Sequence, residues 1–241
     1  MIEVKGISKT YAKTQVLNHV SVKLEKGAIL VILGASGCGK TTFLRLLAGF
    51  EGPDLGEIIL DGRLVSSKSF CLDPSERKLG MIFQELALWP HMTVFDNVAF
   101  AAEKLAVSKQ DRVDLVNETL NQVSLLKYAK SYPSYLSGGE RQRLAIARAI
   151  ISSPDVLLMD EPFNNLDPIT KAEILKLILL MKERFNMTII YATHNFDEVF
   201  NLAHCIVIMQ NGAFRDMLSK EEFAYFSHQD LLNWYKLCLQ P

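Results

Sequence analysis

Five consecutive apolar residues, Ile29-Leu30-Val31-Ile32-Leu33, run directly into Gly34-Ala35-Ser36-Gly37-Cys38-Gly39-Lys40-Thr41, and Thr42-Phe43-Leu44-Arg45-Leu46-Leu47-Ala48 follows at once. An apolar run, then glycines, then helix formers reads as a buried strand, a tight loop and a helix. The middle string satisfies every fixed position of the pattern G-x-x-x-x-G-K-[ST]. Its glycines let the backbone curl until successive N–H groups point inward, and the helix start adds partial positive charge, so the loop suits an anion. On this pattern Lys40 reaches the β- and γ-phosphates of a nucleotide and the Thr41 hydroxyl holds Mg²⁺. Gly34, Ser36, Gly37, Cys38, Gly39 and Thr42 complete the expected cradle. An ordinary glycine-rich turn would leave these coincident matches unexplained.

Bulk properties narrow the partners. A net charge of −1 over 241 residues creates no global field for nucleic acid or anionic lipid. Cys38, Cys71, Cys205 and Cys238 lie far apart with no C-x-x-C spacing, which argues against zinc and a disulfide framework and fits a reducing cytosol. Met1 to Lys5 shows no apolar signal pattern, and the greasy stretch from Ile174 to Met181 is interrupted by Lys176. A spanning helix needs about 20 apolar residues, so the expectation is a chain that does not itself cross a membrane.

Along the chain, Ile2-Glu3-Val4, Val20 to Leu24, and Glu57 to Gly62, which ends in a turn, read as strands of an N-terminal β region. Residues 63–78 are polar with a proline and read as a loop; Gly80 to Gln84 reads as a strand. From about Thr93 to Ile151 the pattern is helical, with Val113, Val116, Leu120 and Val123 on one face. Alternation of strands and helices then returns: Val156 to Met159, a helix over 169–184, Thr188 to Tyr191, a helix over 196–202, and Ile206 to Met209 ending at the hairpin signal Asn211-Gly212. The expected fold class is therefore α/β, a mostly parallel sheet between helices, with an N-terminal antiparallel β subdomain and an inserted helical subdomain over about 86–151.

Val156-Leu157-Leu158-Met159-Asp160-Glu161 places two carboxylates at the C-terminal end of a buried strand, where ligands of parallel sheets bind. Asp160 is suited to the same Mg²⁺ as Thr41. Glu161 points to the other face and is placed to orient or deprotonate water. By itself the pair would read as a solvated strand end.

Leu136-Ser137-Gly138-Gly139-Glu140-Arg141-Gln142-Arg143 puts Ser137 and two glycine amides at a helix start, a second anion site. A plain helix cap explains Ser137 but not the string. LSGGERQR resembles the signature motif of ATP-binding cassette (ABC) ATPases, and the resemblance covers about residues 2–212. It implies a P-loop NTPase core and a homodimer in which two protomers sandwich two Mg·ATP head to tail, with Ser137, Gly138 and Gly139 acting in trans on the partner's nucleotide. It further implies that Tyr11 stacks on adenine, that Gln84 contacts Mg²⁺ and water, that His194 contacts the γ-phosphate, and that Asp167 belongs to the loop linking the two sites. Catalysis would fall to Glu161, His194, Gln84 and Lys40, and metal binding to Thr41, Gln84 and Asp160. Asn164 stands where that loop usually carries serine, so communication between the sites is expected to differ while turnover persists.

The stretch from Gln84 to Val98, Gln-Glu-Leu-Ala-Leu-Trp-Pro-His-Met-Thr-Val-Phe-Asp-Asn-Val, resembles importer ATPases for iron, polyamines, molybdate and sugars. In that family it borders the groove that receives a coupling helix of the membrane permease. Leu88, Trp89 and Phe95 would supply the apolar contacts, unless they pack inside the helical subdomain. Cys38 within the phosphate loop is frequent in the same importers. The chain departs from them at its end: the aromatic tail of about 213–241, with Phe214, Phe223, Tyr225, Phe226, Trp234 and Tyr235, is expected to be helices covering the core, not a regulatory domain. The resulting expectation is one ABC ATPase domain over 1–241, the motor subunit of a transporter and most simply an importer. It would be cytoplasmic and peripheral on the inner face of the membrane, served through the complex by an external solute-binding protein. The alternative is a soluble ABC ATPase of an assembly machine of the iron–sulfur type.

Overall fold

A computed structural model describes residues 1–163, 166–198 and 202–239. In chain order its elements are β1 (Ile2–Tyr11), β2 (Thr14–Leu24), β3 (Ile29–Leu33), α1 (Lys40–Ala48), β4 (Leu55–Leu60), β5 (Arg63–Ser67), β6 (Phe70–Cys71) and β7 (Leu79–Ile82). There follow α2 (Val94–Ala101), α3 (Lys109–Gln122), α4 (Gly138–Ile150), β8 (Val156–Asp160), α5 (Pro168–Phe185), β9 (Thr188–Thr193), β10 (Cys205–Gln210), β11 (Ala213–Ser219), α6 (Lys220–Phe223) and α7 (His228–Cys238). The chain separates into two compact units, one of Met1–Leu79, Leu158–Glu161 and Thr188–Pro241, the other of Gly80–Leu157 and Pro162–Met187.

The first unit carries two sheets. The antiparallel one runs β2-β1-β4-β5-β6, with Val4 opposite both Val22 and Ile58. The other runs β11-β10-β3-β9-β8, with β3 parallel to both neighbours: Val31 lies opposite Ile206 of β10 and Tyr191 of β9. All five residues of β3 are buried, as are those of β9, which explains their unbroken apolar reading: a central parallel strand is covered on both faces.

Residues 63–78 are not a plain loop. Asp61 and Gly62 both take positive φ, 46° and 78°, and close a two-residue hairpin in which Leu60 pairs with Arg63. Asp-Gly favours this turn, so β5 was legible from its neighbour, and the polar composition hid it. The returning chain delivers Arg77, only 5 % exposed, whose guanidinium donates to the carbonyls of Leu46 and Leu47 at the end of α1, to those of Leu72 and Val65, and to Ser66 Oγ. A buried cation beside helix-terminal carbonyls complements the dipole and fixes α1 from its far end.

The aromatic tail also begins differently from expectation. Asn211 and Gly212 (φ 49° and 75°) turn the chain back as β11, antiparallel to β10, and only then come α6 and α7. Phe214 thus lies on a strand, edge-on to Phe43 of α1 at 5.3 Å. Of the helix expected over 196–202, a 3₁₀ turn at Phe196–Glu198 is seen, and residues 199–201 lie outside the described residues.

The second unit is built on helices. Ile174, Leu177, Ile178 and Met181 of α5 form one buried stripe at helical spacing. The helix opens on Asp167, which caps it, with Pro168 at its first position, and closes on Asn186 in the left-handed conformation. α4 buries Leu144, Ala145, Ile146, Ala147, Ala149 and Ile150. Among the described residues no helix is long and apolar enough to cross a membrane.

Candidate active site

The loop between β3 and α1 is shaped for an anion by its backbone alone. Gly39, the residue before α1, has φ 114°, and a Cβ there would sit 3.0 Å from the Val16 carbonyl and the Leu17 side chain. No side chain caps this helix start, and its first turn carries no acid. Its leading N–H groups are therefore left for a ligand. Gly34 is equally constrained, since an added Cβ would meet the Met209 carbonyl at 2.5 Å. Ser36 and Gly37 are exposed at the loop's tip, Thr41 is exposed at the helix start, and Thr42 is half-buried beside it.

Lys40 is 4 % exposed, and its ammonium donates to the carbonyls of Gly34 at 2.7 Å and Ala35 at 3.1 Å and stands 3.4 Å from Glu161 Oε1. Glu161 in turn has Oε2 3.1 Å from His194 Nδ1. The backbone holds this constellation together: Glu161 N–H donates to the Ala192 carbonyl of β9 at 2.9 Å, and Gly34 N–H to the Thr193 carbonyl at 3.3 Å. Glu161 itself has φ 44°, an uncommon conformation outside glycine, which turns the chain sharply at the end of β8. The sequence-predicted set Lys40, Thr41, Asp160, Glu161 and His194 is thus brought together within one unit.

Asp160 is 4 % exposed, and burial pushes its carboxyl above the usual range despite the Thr41 hydroxyl bonded to it. Its Oδ1 is buried with no hydrogen-bond partner. A buried carboxylate oxygen without a donor is costly unless a cation meets it. The donor set, one carboxylate and one hydroxyl beside a phosphate loop, is what Mg²⁺ takes when phosphates and water supply its other ligands, so the residues present fit that ion. Among the described residues no cluster of three or more His, Cys, Asp or Glu is arranged to hold a metal by itself.

Tyr11 ends β1 with its ring 41 % exposed, the Lys9 ammonium 5.6 Å from the ring centroid, and its hydroxyl bonded to Glu51 and Thr42. Burial, then Glu51, raises its phenol to about 12, so the ring stays neutral. Cys38 is half-buried in the cradle, and burial raises its thiol despite Lys40 nearby.

The remaining candidates lie in the second unit. Gln84 is exposed in the turn after β7. Ser137 caps α4: its Oγ accepts from Glu140 N–H at 3.2 Å, while Glu140 Oε2 accepts from Ser137 N–H at 2.8 Å. Gly138 opens α4, and Gly139 packs so closely on Thr170 that a Cβ would lie 2.5 Å from its methyl. Asp167 accepts from Ile169 and Thr170 N–H at 3.1 and 3.0 Å as the cap of α5. Asn164 lies outside the described residues.

Leu88, Trp89 and Phe95 are half-buried. Trp89 packs edge-on against Phe100 at 4.7 Å and lies beneath the Arg148 guanidinium, 4.7 Å from its ring centroid. Two residues that sequence reasoning passed over set this segment. Asn97 is fully buried, accepting from Trp89 N–H and donating to the carbonyls of Trp89, Met92 and Thr93. Arg148, from α4, donates to the carbonyls of Leu86 and Ala87, both at positive φ. An Asn at the fourth residue after a cap and an Arg in a signature helix carry no local signal for such partners.

Comparison with known proteins places this geometry among its relatives. The spermidine/putrescine import ATP-binding protein of Thermotoga maritima is 41 % identical over 211 residues, which are 88 % of this chain and 56 % of that protein. The sulfate/thiosulfate import ATP-binding protein of Pseudomonas syringae pv. tomato is 41 % identical over 225 residues, 92 % of this chain and 68 % of that protein. The chain thus spans a little over half the length of the first of these relatives. An ATP-binding cassette solved as a dimer in a post-hydrolysis state with ADP and Pi superposes with a TM-score of 0.80 at 28 % identity, covering 91 % of this chain and 98 % of that one. The cbiO1 cassette of Clostridium perfringens, part of the ABC transporter complex cbiONQ, gives 0.81 at 26 % identity, covering 99 % and 95 %. The ABC transporter family pattern matches residues 17–164, more than half of the chain. The protein belongs to the ABC transporter family, as a member of its ATP-binding cassettes.

Proposed function

We propose that this chain is the ATP-hydrolysing motor subunit of an importer, driving a separate membrane permease by ATP-dependent closure of a homodimer. The observation that carries the reading is the uncapped start of α1 with Lys40, Asp160, Glu161 and His194 gathered beside it. The loop amides and Lys40 bind and orient the phosphates, and Tyr11 offers an open ring face to adenine. Thr41, Asp160 and Gln84 would hold Mg²⁺, which when bound neutralises charge on the β- and γ-phosphate oxygens. Glu161 orients the attacking water and takes up its proton, and His194 Nδ1, 3.1 Å from it, keeps that carboxylate aimed while the ring contacts the γ-phosphate. Ser137, Gly138 and Gly139 serve the partner's nucleotide, and Asp167 belongs to the loop that links the sites. ATP bridges two protomers only in the closed state and so favours it.

The importer reading rests on the names of the relatives and on the stretch from Gln84 to Val98, where Leu88, Trp89 and Phe95 would border the groove for a coupling helix of the permease. Beside that stretch lies a shallow cavity of about 390 Å³ that sets Met92, Ala99 and Phe100 among His91, Asp96, Glu103 and Arg112, a mixed surface suited to an amphipathic helix. The subunit would lie on the cytoplasmic face of the membrane, and an external solute-binding protein would act through the permease. Two experiments test the reading. Glu161→Gln should bind ATP and dimerise but turn over at least about 100-fold more slowly, the lower end for a lost general base; near-normal hydrolysis removes Glu161 from catalysis. Affinity purification from detergent-solubilised membranes should bring down a multi-span membrane protein in stoichiometric amount. Recovery with soluble partners alone, and absence from membranes, would favour the assembly ATPase.

A further inference from the structure

The site's fixed bonds converge on the end of β9. Ala192 holds Glu161, Thr193 holds Gly34, and the next residue is His194. Behind this strand end lies an acid that the proposed catalytic set does not use. Glu198 is 6 % exposed, and its Oε2 accepts from the Thr193 hydroxyl at 2.6 Å and from the Tyr191 hydroxyl. Thr193 Oγ1 in turn accepts from Asn195 N–H at 3.0 Å. A hydroxyl has one proton to give. By taking it, Glu198 leaves the Thr193 lone pairs aimed at Asn195. The residues on either side of His194 are therefore joined through one hydroxyl whose orientation Glu198 sets. Phe196, in the same turn, packs edge-on against Tyr235 of α7 at 4.7 Å, so the turn is held on a second side. Sinking a carboxylate this deep is expensive unless its bonds matter, and here both hydroxyl donors come from the strand that leads to His194.

We propose that Glu198 is a positioning residue. Its carboxylate fixes the Thr193 hydroxyl and thereby the turn that keeps the His194 imidazole beside Glu161. This rests on the roles given above to His194 and Glu161. The substitution Glu198→Gln keeps an oxygen able to accept from both hydroxyls, and Glu198→Ala does not.

The test combines two readouts on Glu198→Ala, Glu198→Gln, His194→Ala and the double variant His194→Ala/Glu198→Ala. One is the His194 Cε1–H resonance by NMR, assigned by its loss in His194→Ala; the other is kcat and KM for ATP. Glu198→Ala should shift and broaden the resonance and lower kcat about tenfold or more with KM within about twofold, the split expected for a lost transition-state contact. Glu198→Gln should restore both. The double variant should be no slower than His194→Ala, because residues acting as one unit are not additive. An unmoved resonance in Glu198→Ala, or losses that multiply in the double variant, overturns the proposal. If Glu198→Ala does not fold, Thr193→Val, which removes the hydroxyl at nearly constant shape, decides by the same resonance. Should His194→Ala hydrolyse ATP normally, the histidine leaves the proposed mechanism, while the resonance still reports whether Glu198 sets its position.

Discussion

Two helices of this chain, α1 and α4, start on glycines, and they treat their leading N–H groups in opposite ways. Gly39 leaves the start of α1 without a side-chain cap and without an acid. Ser137 and Glu140 close the start of α4 into a capping box, and the Ser137 N–H holds the Glu140 carboxyl below the usual range. The first helix leaves its donors open to a ligand. The second is satisfied by itself and presents a carboxylate where its dipole is most positive. A chain with two glycine-led helix starts thus has one committed anion cradle and one that meets an anion only alongside its own acid.

Substitutions at these two helix starts test that contrast, the largest effect first. Gly39→Ala forces a side chain into φ 114° against the Val16 carbonyl, a strain of about 1–3 kcal/mol before any clash. ATP affinity, measured by equilibrium binding, should fall by two orders of magnitude or more. Retained affinity would show that the loop geometry is not what binds phosphate. Asp160→Asn removes a charge that burial disfavours more than the Thr41 hydroxyl and Lys40 favour it. Because burial raises this carboxyl, its ionised form costs stability at neutral pH, and the cost disappears below the ordinary aspartate range. In metal-free buffer at pH 7 the variant should melt about 2–4 °C higher, the shift made by ~1 kcal/mol in a domain of this size. That advantage should vanish below about pH 3, where an unfolded aspartate is also protonated. Mg²⁺ should strengthen ATP binding to the native protein and not to the variant. A variant that still responds to Mg²⁺ excludes Asp160 as a ligand.

At α4 the effects are smaller. Ser137→Ala removes a cap worth about 1 kcal/mol and should appear as a modest drop in chemical denaturation midpoint, with ATP binding by the monomer unchanged. Glu140→Gln keeps an oxygen for the Ser137 N–H but removes the charge. Dimerisation of the Glu161→Gln protein with ATP, followed by light scattering, should tighten about two- to fivefold, the effect of ~0.3–1 kcal/mol at a helix start. Weaker dimerisation would mean that the Glu140 charge assists closure and that the contrast between the helix starts is misplaced.

The contrast also marks what could be read in advance. The phosphate loop and the acids at the end of β8 were legible because their chemistry is local: eight consecutive residues shape the cradle, and two acids directly after four apolar residues mark a strand end. That Glu161 leaves the strand at φ 44°, so that a turn and not alternation aims it, was not legible. The cap at Ser137 was visible, but its reciprocal bond with Glu140 was not read, although Ser-x-x-Glu signals it. β5 and β11 were missed or misread because polar and aromatic composition was weighed above the Asp61-Gly62 and Asn211-Gly212 turns. Arg77, Asn97, Arg148 and Glu198 were not legible. Arg77 serves a carbonyl 30 residues away, and Arg148 serves one 62 residues away. Glu198 is close in sequence to Thr193, yet it looked like one acid in a polar stretch until its burial was known.

The residues alone determined that this chain carries a phosphate loop, two acids at a strand end, a signature-like helix start and a sheet of buried parallel strands. Those features follow from periodicity and from turns a few residues long, where the chain has little freedom. Tertiary structure decided which polar side chains are buried and which partner each one meets. It set Lys40 3.4 Å and His194 3.1 Å from the two oxygens of Glu161, and left Asp160 Oδ1 without a donor. The cost of a buried charge is set by every group packed around it, and those groups come from distant parts of the chain, so no local pattern can announce it.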